Sequence, residues 1–194
     1  RMGGGFGRRL YGHFLIEAAV ISQKLKSPVK LIYTREDDMT CGIYRPDYYA
    51  MYRAALDENK KLIACHVKCG GMQDSPLSAN RFPAGSGDNY LAEEWTIDSN
   101  ISVGAFRAPQ SNFMASAEQS FLDAVAEEMG KDPIALGLAL FNRDKTNPVG
   151  KDNDYDAARY AGVLELVREK SDWDKPARPG IHSGVAAYYC HNSY

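Results

Sequence analysis

Residues 104–123 read GAFRAPQSNFMASAEQSFLD. Small residues on either side of Phe106 and Arg107 mark a turn, after which Phe113, Met114, Ala117, Phe121, Leu122 and Val125 recur at helical spacing. The stretch is a loop that hands the chain into an amphipathic helix. Pro109 suits a first helical position, because it has no N–H to leave unpaired, and Gln110, Ser111 and Asn112 are placed to cap the first turn. A helix start of this kind presents open amides and the positive end of the helix dipole, and Arg107 adds a full positive charge on the same side. The local chemistry fits either an anion-facing site or a structural loop whose arginine sits in a salt bridge.

Downstream, Gly130 stops the pattern and Asp132-Pro133 starts a second helix, in which Ile134, Leu136, Leu138 and Leu140 carry the apolar content through Phe141 and Gly137 is a weak point. Residues 142–156 are polar and broken by Asn147-Pro148 and Gly150, which predicts an exposed connection. Asp156 then caps a helix in which Ala157, Tyr160, Val163, Leu164 and Val167 share a face. Residues 185–190 read as a final strand.

Upstream, Gly3-Gly4-Gly5-Phe6-Gly7 leads into Arg8-Arg9 and a long helical pattern ending near Lys26, with Leu10, Phe14, Ala18, Ile21 and Leu25 on one face. This is a second glycine loop feeding a helix, and glycines there let backbone amides approach an oxyanion closely. VKLIYT, residues 29–34, reads as a buried strand with a charged exit through Arg35 to Met39, and residues 42–46 form a turn that presents Arg45. Two strand-like runs, 48–56 and 62–69, flank a polar turn and predict a hairpin. Residues 71–95 carry Gly, Pro, Ser and Asn without periodicity and read as a long loop, which inside a compact domain is usually functional. The expected organisation is one unit in three parts: 1–70 with the glycine loop, a helix and strands; 71–103 as a long loop; and 104–194 with the second loop, helices and the terminal strand. The fold class is α+β, mixed sheets with packed helices.

The 194 residues are 44% hydrophobic and 25% charged, enough for a real core, and the net charge of -2 gives no bulk attraction to nucleic acid. No apolar run approaches the roughly 20 residues that span a bilayer. Cys65 and Cys69 lie on one face of a strand but lack two further ligands, so free thiols are expected and no metal ligand is assigned. Neither the dinucleotide fingerprint nor a P-loop is matched, since Arg8 stands where the third glycine belongs and no Gly-Lys-Ser/Thr occurs.

Three separated motifs, MGGGFGRR, TREDDM with Arg45 six residues after its methionine, and GAFRAPQ before a helix ending in GKDPI, resemble in order and spacing the molybdopterin-binding large subunit of the xanthine oxidase and aldehyde oxidase family. The double arginine after the first loop is similar to the isoquinoline 1-oxidoreductase β-subunit branch. The resemblance covers essentially all of the chain, yet only the middle of the family's subunit. It implies part of a two-lobed molybdenum-cofactor-binding region. It assigns Gly4, Gly5, Phe6, Gly7 and Arg8, with Ala105 and Arg107, to cofactor binding through loop amides and charge. It also assigns Phe106, Arg107 and Arg45 to the reaction centre. The implied reaction hydroxylates a carbon beside a ring nitrogen, or an aldehyde carbon, with oxygen from water. Its general base is a glutamate outside this chain, so the chain alone is expected to be inactive and to hold no cofactor. The implied cofactor is molybdopterin, in a dinucleotide form, with molybdenum. The implied partners are an iron–sulfur subunit or domain, the rest of the large subunit, and a small N-heteroaromatic or aldehyde substrate. The compartment stays open between bacterial cytoplasm and periplasm. The family's purine-oxidising branch has Gly-Lys-Glu where this chain has Arg8, Arg9 and Leu10, which implies that xanthine is disfavoured and that Leu10 gives the substrate an apolar flank.

Two other readings of the same residues remain. A nucleotide- or flavin-binding domain would use the first glycine loop, and a non-catalytic interaction module would leave Arg45, Arg107 and that loop on unrelated faces.

Overall fold

The computed structural model describes residues 3–77, 80–150, 153–176 and 178–194; Met2 of the first quoted motif lies outside the described residues. The polar turn 57–61 folds two runs back on each other as predicted. Asp57 Oδ1 accepts the amides of Asn59 and Lys61 at 2.9 and 2.8 Å, closing the turn between β1 (Tyr48–Leu56) and β2 (Leu62–Met72). The pairing is antiparallel, with Tyr48 opposite Gly71 and Leu56 opposite Leu62. A third strand, β3 (Tyr90–Ile97), lies parallel to β2, and the order is β1-β2-β3. The sheet is therefore mixed. It also corrects the expected long loop: its C-terminal part is β3, whose Tyr, Leu, Trp, Thr and Ile content suits a half-buried strand.

The helices are α1 (His13–Leu25), α2 (Arg35–Thr40), α3 (Ser111–Met129), α4 (Pro133–Thr146) and α5 (Ala157–Lys170). Their ends follow the capping residues. Gly130 takes the left-handed conformation after α3, Asp132 accepts the Ala135 amide with Pro133 in the first turn of α4, and Asp156 accepts the amides of Ala158 and Arg159 at 2.9 and 3.0 Å. α3 lies on the sheet, where Tyr52 meets Phe121 with ring centroids 5.0 Å apart and Cys69 Sγ is 3.7 Å from Met114 Sδ. α4 and α5 pack as a pair around Phe82, Phe141, Tyr155 and Tyr160, with the Phe141 and Tyr160 rings 4.3 Å apart. Gly137 lets them approach, since a Cβ there would stand 2.9 Å from Leu164 Cδ1.

Four further expectations change. Residues 29–34 form no strand; Thr34 instead caps α2 in a reciprocal capping box with Asp37, so TREDDM is a helix start. The glycine cluster feeds a 3-10 turn, Arg8–Leu10, and α1 begins only at His13. Residues 142–156 are not all exposed, because α4 runs through Thr146 and Asp144 and Tyr155 are buried. Residues 185–190 form no strand among the described residues beyond an isolated bridge from Cys190 to Ser193. They are held by side chains: the Ala187 amide donates to Gln119 Oε1 at 3.0 Å and its carbonyl accepts Tyr160 Oη–H at 2.7 Å.

Candidate functional site

The two glycine-bearing loops meet. The Arg107 amide donates to the Phe6 carbonyl at 2.7 Å, so residues 3–10 and 104–110 are joined backbone to backbone. Gly7, at φ 87°, allows the approach: a Cβ on it would lie 2.5 Å from the Ala105 carbonyl oxygen. Arg45 closes the group, donating from Nη2 to the Arg107 carbonyl at 2.9 Å while its guanidinium sits 5.0 Å from the centre of the Phe106 ring. The Arg107 guanidinium lies 5.8 Å from the centre of the Phe6 ring. An isolated parallel bridge between Tyr44 and Val103 carries Arg45 to this place beside the loop. Arg45, Arg107 and the glycine loop thus converge, contrary to what a non-catalytic module with these residues on unrelated faces would require.

The loop backbones are strained. Phe6, Arg107, Ala108 and Gln110 all have positive φ, at 49°, 28°, 53° and 61°. Side chains rarely tolerate this, and such conformations cluster where a loop must aim groups at a ligand.

The donors differ from those expected. Pro109 precedes the cap residue and α3 begins at Ser111, with Gln110 as a cap that makes no side-chain capping bond. The first amides of α3 are already used: Ser111 donates to the Pro109 carbonyl at 2.6 Å and Asn112 to that of Ala108 at 3.2 Å. The Ala105 amide is taken by Tyr11 Oη at 2.8 Å. Neither the helix start nor the Ala105 and Arg107 amides are therefore open to an anion. Among the described residues, the amides of Gly5, Phe6, Gly7 and Phe106 find no acceptor, and Arg45 Nη1 and His13 Nδ1 are buried atoms without a partner. Buried polar groups are normally satisfied, so an unpaired donor in a cleft marks a place for a ligand group.

Two clefts flank Phe106. One, of about 540 Å³, lies between the glycine loop and α1 and is lined by Gly5, Phe6, Arg8, Arg9, His13, Phe14, Leu31 and Phe106 among others. The other, of about 480 Å³, includes Tyr11, Arg45, Tyr48, Asp74, Ala105 and Gln110. Burial, helped by the neighbouring Asp74 carboxylate, pushes the Tyr48 hydroxyl up to about 12, so it stays a neutral donor. Gly4 borders the first loop, where its carbonyl accepts Arg9 Nη1 at 3.2 Å. Arg8 lines the first cleft, but its guanidinium is bound to Asp38 of α2 at 2.8 Å, so its charge is largely spoken for. Leu10 is 73% exposed on the 3-10 turn and does not line the cleft, so the apolar flank expected from it is absent. Phe6, Phe14, Leu31 and Phe106 supply apolar surface instead.

Sequence reasoning missed Tyr11, Asp38, His13, Asp74 and the role of Gln110. Only Asp38 carried a signal, as part of a capped acidic run. Cys65 and Cys69 are buried free thiols pushed up to about 11 by burial, and no metal-binding group of His, Cys, Asp or Glu occurs among the described residues.

Comparison with known proteins gives a consistent result. The family model described as "Molybdopterin cofactor-binding domain" matches residues 1–139. The chain is similar to a protein named "Membrane-bound aldehyde dehydrogenase [pyrroloquinoline-quinone]" from Gluconacetobacter polyoxogenes, at 30% identity over 92% of this chain and 26% of that protein. It is also similar to isoquinoline 1-oxidoreductase subunit beta of Brevundimonas diminuta, at 27% identity over 95% of this chain and 25% of that one. The solved aldehyde oxidoreductase of Desulfovibrio gigas superposes with a TM-score of 0.65 at 19% identity, covering 89% of this chain and 20% of its own. The chain spans about a quarter of the length of the curated relatives it matches.

Proposed function

Because the chain belongs to the molybdopterin cofactor-binding domain family, we propose that its paired loops, 3–10 and 104–110, form the cofactor- and substrate-facing part of a molybdenum hydroxylase large subunit. The observation that carries this is the convergence of Phe6, Gly7, Phe106, Arg107 and Arg45 around unpaired donors. The residues fit the group: the free amides of Gly5, Phe6, Gly7 and Phe106, with Arg107, would hold an anionic pterin and the oxygen atoms of its metal. When bound, that cofactor supplies two-electron oxidation of a carbon with oxygen drawn from water.

The chain's own residues do the rest. Phe6 and Phe106 line the first cleft and offer flat apolar faces to a ring. Arg45 Nη1, lacking an acceptor, orients a polar edge of a substrate that reaches past Phe106 into the second cleft. Among the described residues, the only carboxylate that lines the first cleft is Asp38, which Arg8 holds. A purine with several ring N–H groups would lose hydrogen bonds on entry, and this disfavours xanthine. The substrate class is an N-heteroaromatic or an aldehyde, and an isoquinoline-like ring is our first choice. An iron–sulfur partner would take up the electrons and the remainder of the large subunit would complete the site, so this chain alone is expected to be inactive.

The test is steady-state turnover of the complete enzyme on isoquinoline, an aromatic aldehyde and xanthine with an artificial electron acceptor. The expected order puts xanthine last. Arg107→Ala is expected to lower kcat about a hundredfold with little change in melting temperature. Near-normal turnover of that variant, fully loaded with cofactor, would remove Arg107 from the reaction centre.

A further inference from the structure

Residues 104–110 must hold several positive-φ conformations at once, and the bonds already described fix only their front, through Tyr11, Phe6 and Arg45. Their rear is fixed elsewhere. Gln110, at φ 61°, turns its side chain away from α3, and Nε2 donates to Asp74 Oδ2 at 2.7 Å and to the Ser75 carbonyl at 3.5 Å. The same Asp74 oxygen accepts Tyr48 Oη–H at 3.3 Å. Asp74 and Tyr48 are tied to the sheet. The Met72 amide donates to the Asp47 carbonyl at 3.0 Å, that of Gln73 to the Ile97 carbonyl at 2.9 Å, and the Tyr48 ring packs on Phe113 with centroids 5.6 Å apart. A carboxylate accepting from both a neutral amide and a phenol makes stronger bonds than a neutral acceptor would.

We propose that Asp74 is a positioning residue: anchored on the sheet, it holds Gln110 and thereby sets where Phe106 and Arg107 stand. The effect on turnover rests on the function proposed above; the effect on the loop does not. Asp74 neither lines the first cleft nor meets the loop amides that face it; it borders the second cleft and reaches the loop through Gln110, with Tyr48 as its other partner.

In the complete protein, hydrogen–deuterium exchange and steady-state kinetics are measured for Asp74→Ala, Asp74→Asn, Gln110→Ala and the Asp74→Ala/Gln110→Ala pair. Amides of residues 105–112 are expected to exchange at least tenfold faster in Asp74→Ala, with β1 and β2 unchanged. Asp74→Asn, which keeps an acceptor oxygen, is expected to recover most of that protection. The two alanine changes are expected to lower kcat about equally, by tenfold or more, with KM little altered, and to be no worse together than singly, as for residues acting as one unit. Unchanged exchange in 105–112, or losses that multiply in the double variant, would overturn the proposal. Normal coupling of exchange in a protein without molybdenum would overturn only the proposed function.

Discussion

Gly7 is the residue at which the two loops touch, and its lack of a side chain is what permits contact with the Ala105 carbonyl. Gly7→Ala places a Cβ against backbone at a positive φ, and is expected to cost about 1–3 kcal/mol in denaturant unfolding. Gly12→Ala is the control. Gly12 has φ −87° and open space around its Cβ position, so alanine there is expected to be neutral or to stabilise by about 0.4–1 kcal/mol. A second residue-scale test concerns Glu118, 1% exposed on α3 among Tyr52, Tyr90, Tyr155, Tyr160 and Tyr188. Burial drives its carboxyl up to about 8, against the Gln119 amide, which donates to it at 3.0 Å, and the Arg81 charge. The folded state therefore binds a proton that the unfolded chain releases near pH 4.5, the ordinary value for a glutamate. Its contribution to stability is complete below that value and is lost as pH rises to about 8. The expected slope across that window is a loss of about 1.4 kcal/mol per pH unit from this group. Glu118→Gln is expected to remove it. An identical pH profile for both proteins in chemical unfolding would show that Glu118 is ionised in the fold.

Helices α4 and α5 close on a buried aromatic cluster, in which Phe141, 1% exposed, touches Phe82, Tyr155 and Tyr160. Phe141→Ala is expected to cost about 3–5 kcal/mol through the cavity it leaves. Its effect is expected to stop short of the loops, so cofactor content below the melting transition is expected to match that of the unaltered protein. These helices were the most legible part of the sequence, because Gly130, Asp132-Pro133 and Asp156 each act through local backbone bonds. The hairpin was legible for the same reason. Residues 29–34 and 185–190 have strand composition but no ladder partner among the described residues, and composition alone cannot provide one. β3 was hidden by the Gly- and Pro-rich stretch before it, although Tyr90 to Ile97 carried the signal. In the site, Arg45, Phe106, Arg107 and the glycine loop were named from motif order. The bonds that join them were not readable: Tyr11 reaches Ala105 across 94 positions and Gln110 reaches Asp74 across 36, and no local pattern encodes either.

At the scale of the whole molecule, the exposed apolar residues Leu15, Ile16, Val20 and Leu25 on α1 and Ile32 beside it leave the glycine-loop side of the chain less covered than the α3–α5 side. Among the described residues, no helix is long and apolar enough to cross a membrane. A large anionic cofactor contacted by these two loops alone would recover little of its ordering cost, so the separate 194-residue chain is expected to purify without stoichiometric molybdenum. One relative is named for a quinone, which makes the identity of the bound group the sharpest question for the complete protein. The deciding measurement is elemental and pterin analysis of that complete protein, alongside its Gly7→Ala variant. The account predicts about one molybdenum and one pterin per large subunit, with both reduced in the variant. A complete, active protein that holds a quinone, flavin or nucleotide and no molybdenum would contradict it.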